Sequence, residues 1–144
     1  QQHGGEGALA DLPHLVDISL RVAGTDVPTD TFRHGDRIEV RIRWKDRARA
    51  GHHAGFIVYR NDDTMCFGTR TTDQLGALDG QDVEVVATLP LQILAGEYYV
   101  SGFLLDDSSE HVLDQRLAWA RFKVTWTGME KGVFRADVSW KAGG

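Results

Sequence analysis

The sequence holds little that could fix a fold by covalent or metal chemistry. One cysteine, Cys66, stands among 144 residues, so no internal disulfide can form, and that usage favours a reducing compartment. No apolar run approaches the ~20 residues that cross a bilayer. The start, Gln1-Gln2-His3-Gly4-Gly5-Glu6-Gly7, lacks Met and has neither the basic nor the apolar region of a signal peptide. Residues 1–12 therefore read as a flexible linker remnant of a longer protein. Positive charge is also in deficit. Lys and Arg number 16 against 21 Asp and Glu, a net charge of −5, which argues against a nucleic-acid partner needing clustered cations. Helix-period segments of useful length are missing.

What the chain does have is a period of two. Hydrophobic residues make up 42% and charged residues 26%, ordinary values for one domain of this length. From His14 onward apolar residues recur at alternate positions, the pattern of half-buried strands. Val16, Ile18, Leu20 and Val22 form the inward face of a first strand. Ile38, Val40, Ile42 and Trp44 form a second, alternating with Arg37, Glu39, Arg41 and Arg43. Strands at 56–60 and 65–71 flank Asn61-Asp62-Asp63 and predict a hairpin. Further strands are expected at 83–89, 98–105, 119–126 and 133–140, with polar loops at 45–53 and 72–81. This spacing predicts an all-β, immunoglobulin-like antiparallel β-sandwich over residues 13–140. Leu94-Ala95-Gly96-Glu97-Tyr98 matches the tyrosine corner of Greek-key sandwiches, which gives Tyr98 a structural role.

Strand parity separates two outer faces. One carries Asp17, Ser19, Arg21, Arg37, Glu39, Arg41, Arg43, Glu84 and Thr88, a plain solvated surface. On the other, Phe56, Val58, Tyr98, Val100, Ala120, Phe122 and Val124 point inward. Ile57, Tyr59, Tyr99, Ser101, Phe103, Trp119, Arg121 and Lys123 then point outward. Aromatic rings bordered by hydroxyls and Arg suit sugars, whose C–H faces stack on rings while polar groups take the hydroxyls. Tyr59, Tyr99, Ser101, Phe103, Trp119 and Arg121 are the candidate carbohydrate-binding residues. The same exterior also suits a face covered by a loop, by the last strand or by a second subunit. A one-residue slip at a bulge would exchange inward and outward sets.

Catalytic and metal constellations are weak. His52-His53 are adjacent on the chain and would face opposite ways in a strand; they read as part of a solvated loop. His3, His14, His34 and His111 are scattered. Cys66 reads as a small, buried, apolar side chain. Asp62-Asp63 and Asp106-Asp107 are acidic turns without the ligand-rich loop of an EF-hand. No enzyme activity, metal or cofactor is expected.

Several local patterns occur in order. Thr31-Phe32-Arg33-His34-Gly35-Asp36 leads into the strand at 38–44, and Ala54-Gly55-Phe56-Ile57-Val58-Tyr59-Arg60-Asn61-Asp62-Asp63 is followed by Phe67-Gly68-Thr69-Arg70-Thr71. Then come Leu94-Ala95-Gly96-Glu97-Tyr98-Tyr99-Val100-Ser101, Phe122-Lys123-Val124, and Gly132-Val133 before Trp140. Together they resemble the Wzt C-terminal domain, the carbohydrate-binding module fused to the ATPase subunit of O-antigen polysaccharide ABC exporters. The resemblance covers nearly all of residues 14–140. It implies a non-catalytic domain, cytoplasmic and peripheral to the inner membrane as part of a transporter. Such a domain binds lipid-linked, often chemically capped polysaccharide before export. It further implies a sugar site on the concave face of one sheet and a homodimer formed by exchange of the C-terminal strand, here residues 132–140. One departure is Asp62-Asp63, where the family usually has Gly in the hairpin turn. The alternative function is a protein-interaction or structural sandwich using the aromatic sheet as an interface.

Overall fold

The computed structural model describes residues 12–46 and 51–126. Eight strands run through them: β1 His14–Val22, β2 Thr31–Arg33, β3 Arg37–Lys45, β4 His53–Arg60, β5 Met65–Arg70, β6 Asp82–Pro90, β7 Gly96–Leu105 and β8 Val112–Thr125. A single 3₁₀ turn, Thr71–Asp73, follows β5. The strands form a three-stranded sheet in the order β1-β3-β6 and a five-stranded sheet in the order β2-β8-β7-β4-β5. The all-β sandwich expected from the alternation is the fold. All pairings are antiparallel except that of the short β2, which runs parallel to β8. The linker expected at 1–12, apart from Leu12, and the strand expected at 132–140 lie outside the described residues.

Alternation drives the packing. On β3, Ile38, Val40, Ile42 and Trp44 are all at most 3% exposed, and β6 meets them with Val83, Val85, Ala87 and Leu89. The five-stranded sheet answers with Phe56, Val58, Tyr98, Val100, Leu104, Phe122 and Val124. Each such side chain contributes about 1.5–3 kcal/mol on burial. The phenol of Tyr98 stacks on Phe122 at 5.5 Å and donates its hydroxyl hydrogen to the Leu94 carbonyl at 2.5 Å. That bond is the tyrosine corner, and it places the entry to β7.

Two expectations fail at bulges. The β1–β3 register shifts between Leu15 and Asp17. Leu15 is thereby fully buried while Val16 is only half-buried, so Leu15, not Val16, supplies the inward side chain there. The expected strand at 119–126 begins seven residues earlier and is irregular. Val100 pairs with Ala120 but Gly102 pairs with Arg116, so one residue of β7, Ser101, opposes three of β8, and Ala118 takes a positive φ of 49° to absorb the excess. The early part of β8 also fastens β1. The Leu15 N–H donates to Asp114 Oδ2 at 2.8 Å, and Arg116 donates to the Leu15 carbonyl at 3.2 Å.

His52 and His53 are not solvated; they are 2% and 4% exposed. His52 Nδ1 lies 2.9 Å from Asp46 Oδ2, and His53 Nδ1 lies 3.0 Å from the Thr71 hydroxyl. Each finds a polar partner beyond its immediate neighbours, Asp46 for His52 and Thr71 for His53.

Candidate functional site

The three-stranded sheet presents a mixed-charge exterior. Arg41 pairs with Glu39 at 3.1 Å and with Glu84 at 4.0 Å, and Arg43 with Asp82 at 3.9 Å. Exposed pairs of this kind contribute little to stability. The exterior of the five-stranded sheet differs in kind, and the register says why. Tyr59 on β4 is opposite Tyr99 on β7, which is opposite Arg121 on β8. Three outward positions thus form one row across three strands.

Within that row the rings of Tyr59 and Tyr99 stack with centroids 5.1 Å apart and planes 18° apart. The Arg121 guanidinium lies 5.7 Å from the Tyr99 centroid. Because β7 runs between β4 and β8, Tyr99 has Tyr59 on one side and Arg121 on the other. Its hydroxyl donates to Asp63 Oδ1 at 2.6 Å, at the tip of the β4–β5 hairpin. That bond, with lesser help from burial and from the Asp63 charge, pushes the Tyr99 phenol up to about 12. The hairpin tip is ordered by its own contacts. Arg60 donates to both carboxylate oxygens of Asp62, at 2.9 and 2.6 Å, and the Thr64 N–H donates to Oδ1 at 3.1 Å. Those hydrogen bonds hold the Asp62 carboxyl well below its ordinary range.

Further along the same face lies a trough of about 290 Å³, lined by Ile57, Met65, Arg70, Phe103 and Leu105 and floored by Gly55 and Gly68. Gly55 has no room for a side chain, since a Cβ there would sit 2.8 Å from the Thr69 carbonyl oxygen. Phe103 is directly opposite Gly55, so a ring stands over a bare stretch of backbone.

Four of the six candidate residues, Tyr59, Tyr99, Phe103 and Arg121, share this face. Trp119 does not. A Cβ on Gly102, on the core side between Val100 and Leu104, would lie 2.6 Å from Trp119 Cε3 and 3.9 Å from Leu15 Cδ1. Trp119 thus packs against the core beneath β7, with the Arg116 guanidinium 5.8 Å from its ring. The β8 bulge turned it inward. Ser101 keeps outward parity but is 1% exposed, because its hydroxyl accepts the Ala118 N–H at 3.0 Å and the bulged strand covers it. Sequence reasoning missed Asp63 and the Gly55–Gly68 floor. The signal for Asp63 was present, as a hairpin turn with aspartate where glycine is expected.

A second gap, of about 300 Å³, opens between the sheets where the edge strands β5 and β6 face each other, lined by Val40, Ile42, Phe56, Phe67, Val85 and Leu89 among others. Its rim exposes Phe67, Leu75 and Val86 at 42%, 48% and 47%. Cys66 is half-buried, and burial pushes its thiol up, away from the thiolate. Among the described residues no helix is long and apolar enough to cross a membrane, and no cluster of three metal-ligating side chains occurs.

No curated protein matches the chain by sequence. Among solved structures, a crystal structure of the C-terminal domain of Wzt superposes with a TM-score of 0.77 at 16% identity, covering 90% of this chain and 83% of that one. A Bacteroides uniformis β-glucuronidase matches with a TM-score of 0.53 at 16% identity, over 72% of this chain and 14% of that one. A Dictyoglomus thermophilum β-D-mannosidase matches with a TM-score of 0.51 at 13% identity, over 78% and 13%. At these identities the likenesses establish a shared sandwich fold. The model of the Wzt C-terminal domain matches residues 15–136, which spans most of the chain and both sheets, and the protein therefore belongs to the Wzt C-terminal domain family.

Proposed function

We propose that this chain is a non-catalytic carbohydrate-binding domain that holds lipid-linked O-antigen polysaccharide and so selects it for export by an ABC transporter. Family membership supports a carbohydrate role in polysaccharide export. The observation that carries the local reading is the row Tyr59–Tyr99–Arg121 on the outer face of the five-stranded sheet. Stacked rings beside a guanidinium offer apolar surface to pyranose C–H groups and donors to hydroxyls. Phe103 and the trough beside it extend the same face. In this reading Tyr59, Tyr99, Phe103 and Arg121 contact the glycan, and Trp119 and Ser101 act only through the shape of the sheet. The domain works in the cytoplasm, attached to an ATPase at the inner membrane, as a homodimer that exchanges its C-terminal strand, residues 132–140. The edge of β6, which pairs only with β3 among the described strands, and the apolar gap beside it support an added strand.

Binding of one glycan segment is expected at micromolar to millimolar Kd, about 4–8 kcal/mol, with avidity from two sites per dimer. Titration with purified O-polysaccharides tests this. Tyr59→Ala and Arg121→Ala should each weaken binding by about tenfold or more with the melting temperature nearly unchanged. Dissociation of the dimer by these variants, without a glycan effect, would instead make the tyrosine row a protein interface.

A further inference from the structure

The hairpin turn contains an aspartate that its own backbone does not want. Asp63 sits at φ 68°, in the left-handed region that glycine enters freely and residues with a Cβ enter at a cost. The turn is already complete without its side chain. The Asp63 N–H donates to the Arg60 carbonyl and the Arg60 N–H to the Thr64 carbonyl, each at 2.8 Å, while Asp62 supplies the side-chain contacts to Arg60 and Thr64. The Asp63 carboxylate leaves the turn altogether and accepts the Tyr99 hydroxyl at 2.6 Å, 36 residues away. Local geometry explains Asp62; only the link to β7 explains Asp63.

We propose that Asp63 is a positioning residue. By fixing the Tyr99 hydroxyl it sets the angle of that ring, and through it the separation of Tyr59 and Arg121 on either side. The consequence for affinity rests on the carbohydrate-binding reading above; the geometric claim does not. Tyr99 can swing about two side-chain torsions, and a tether at its far end removes that freedom before a ligand arrives. Preorganisation of this kind raises affinity by lowering the entropy lost on binding. The upward shift of the Tyr99 phenol to about 12, whose largest cause is this hydrogen bond, gives the tether a spectroscopic signature.

The test compares the wild type with Asp63→Gly, Asp63→Asn and Tyr99→Phe. Alkaline titration of phenolate absorbance should show one additional phenol ionising near pH ~10 in Asp63→Gly, with near-UV circular dichroism from the stacked tyrosines reduced. Thermal stability of that variant should hold or rise, because glycine relieves the left-handed residue. Its affinity for the O-polysaccharide probe should nevertheless fall about three- to tenfold, whereas Asp63→Asn, which keeps an acceptor in a residue tolerant of this conformation, should stay within about twofold. Asp63→Gly combined with Tyr99→Phe should lose no more than Tyr99→Phe alone. A merely structural aspartate would move stability and affinity down together. Superimposable titrations of wild type and Asp63→Gly would overturn the proposal. A shifted titration in a protein that binds no polysaccharide at all would support the tether and overturn the carbohydrate reading instead.

Discussion

The placement of Trp119 is the point at which structure and sequence pattern part, and it yields a sharp prediction. Gly102→Ala adds one methyl to the inner face of β7, at a position 2.6 Å from Trp119 Cε3 and 2.8 Å from Cζ3. Ordinary carbon contacts lie near 3.5–4.0 Å, so the methyl intrudes by about 1 Å. The obstacle is a rigid indole packed against the core, not the flexible end of a side chain. Overpacking of this sort costs about 1–3 kcal/mol, and for a domain of this size the melting temperature should fall by roughly 3–10 °C. Trp119→Leu alone should also destabilise, by about 1–3 kcal/mol, because it opens space against the core. The two changes should compensate: in a Trp119→Leu background the Gly102→Ala methyl occupies vacated volume and should cost under about 0.5 kcal/mol, a coupling of at least about 0.5 kcal/mol in a double-mutant cycle. Thermal and urea unfolding of the four proteins measures it. Additive effects would refute the contact, and Trp119→Leu abolishing polysaccharide binding at unchanged stability would put the ring back on the outer face.

Tyr98→Phe removes the donor that satisfies the buried Leu94 carbonyl and should cost about 1–3 kcal/mol by thermal melting, with no direct effect on glycan affinity. Burial pushes the Asp106 carboxyl up, but hydrogen bonds from the Ser108 hydroxyl, the His111 ring and the Glu110 and His111 N–H groups prevail and hold it at about 2. Its folded value is depressed, so its stabilisation is present above the ordinary 3.8 and fades as pH falls from there to about 2; Asp106→Asn should flatten the melting-temperature curve in that window and lower the melting temperature at neutral pH, where the carboxylate is ionised. Phe103 stands four residues along β7 from Tyr99, about 13 Å at 3.3 Å per residue. Phe103→Ala should therefore weaken binding of long oligosaccharides while sparing monosaccharides, and Tyr59→Ala should weaken both.

The clean alternation of β3, β6 and β7 made their inward faces legible, because a strand buried on one side leaves its period in the composition. The hairpin at Asn61-Asp62-Asp63 and the corner at Tyr98 were legible for the same local reason. β2 was not, since three residues carry no period, and neither was the start of β8. Val112-Leu113-Asp114-Gln115-Arg116-Leu117-Ala118 has no strand alternation; it is held as a strand by pairing with β7 and by the Asp114 and Arg116 bonds to Leu15. His52 and His53 are likewise buried by partners at Asp46 and Thr71 that no adjacent residue announces.

Bulges matter here beyond their effect on prediction. Had β8 kept step with β7, Trp119 would stand outward near Ser101, and the outer face would be one continuous aromatic strip. The two extra residues opposite Ser101 instead turn the indole into the core, cover the serine and leave two separate aromatic positions, the tyrosine row near the hairpin and Phe103 above its glycine floor. A backbone irregularity thus divides the face, and it does so with residues whose identities look interchangeable with those of a regular strand. The division favours an extended ligand over a compact one, because no single ring can rest on both positions. In the carbohydrate-binding reading this gives the Ala118 conformation, at φ 49° without a glycine, a part in shaping the face: straightening β8 there would restore the strip without altering any residue that lines it.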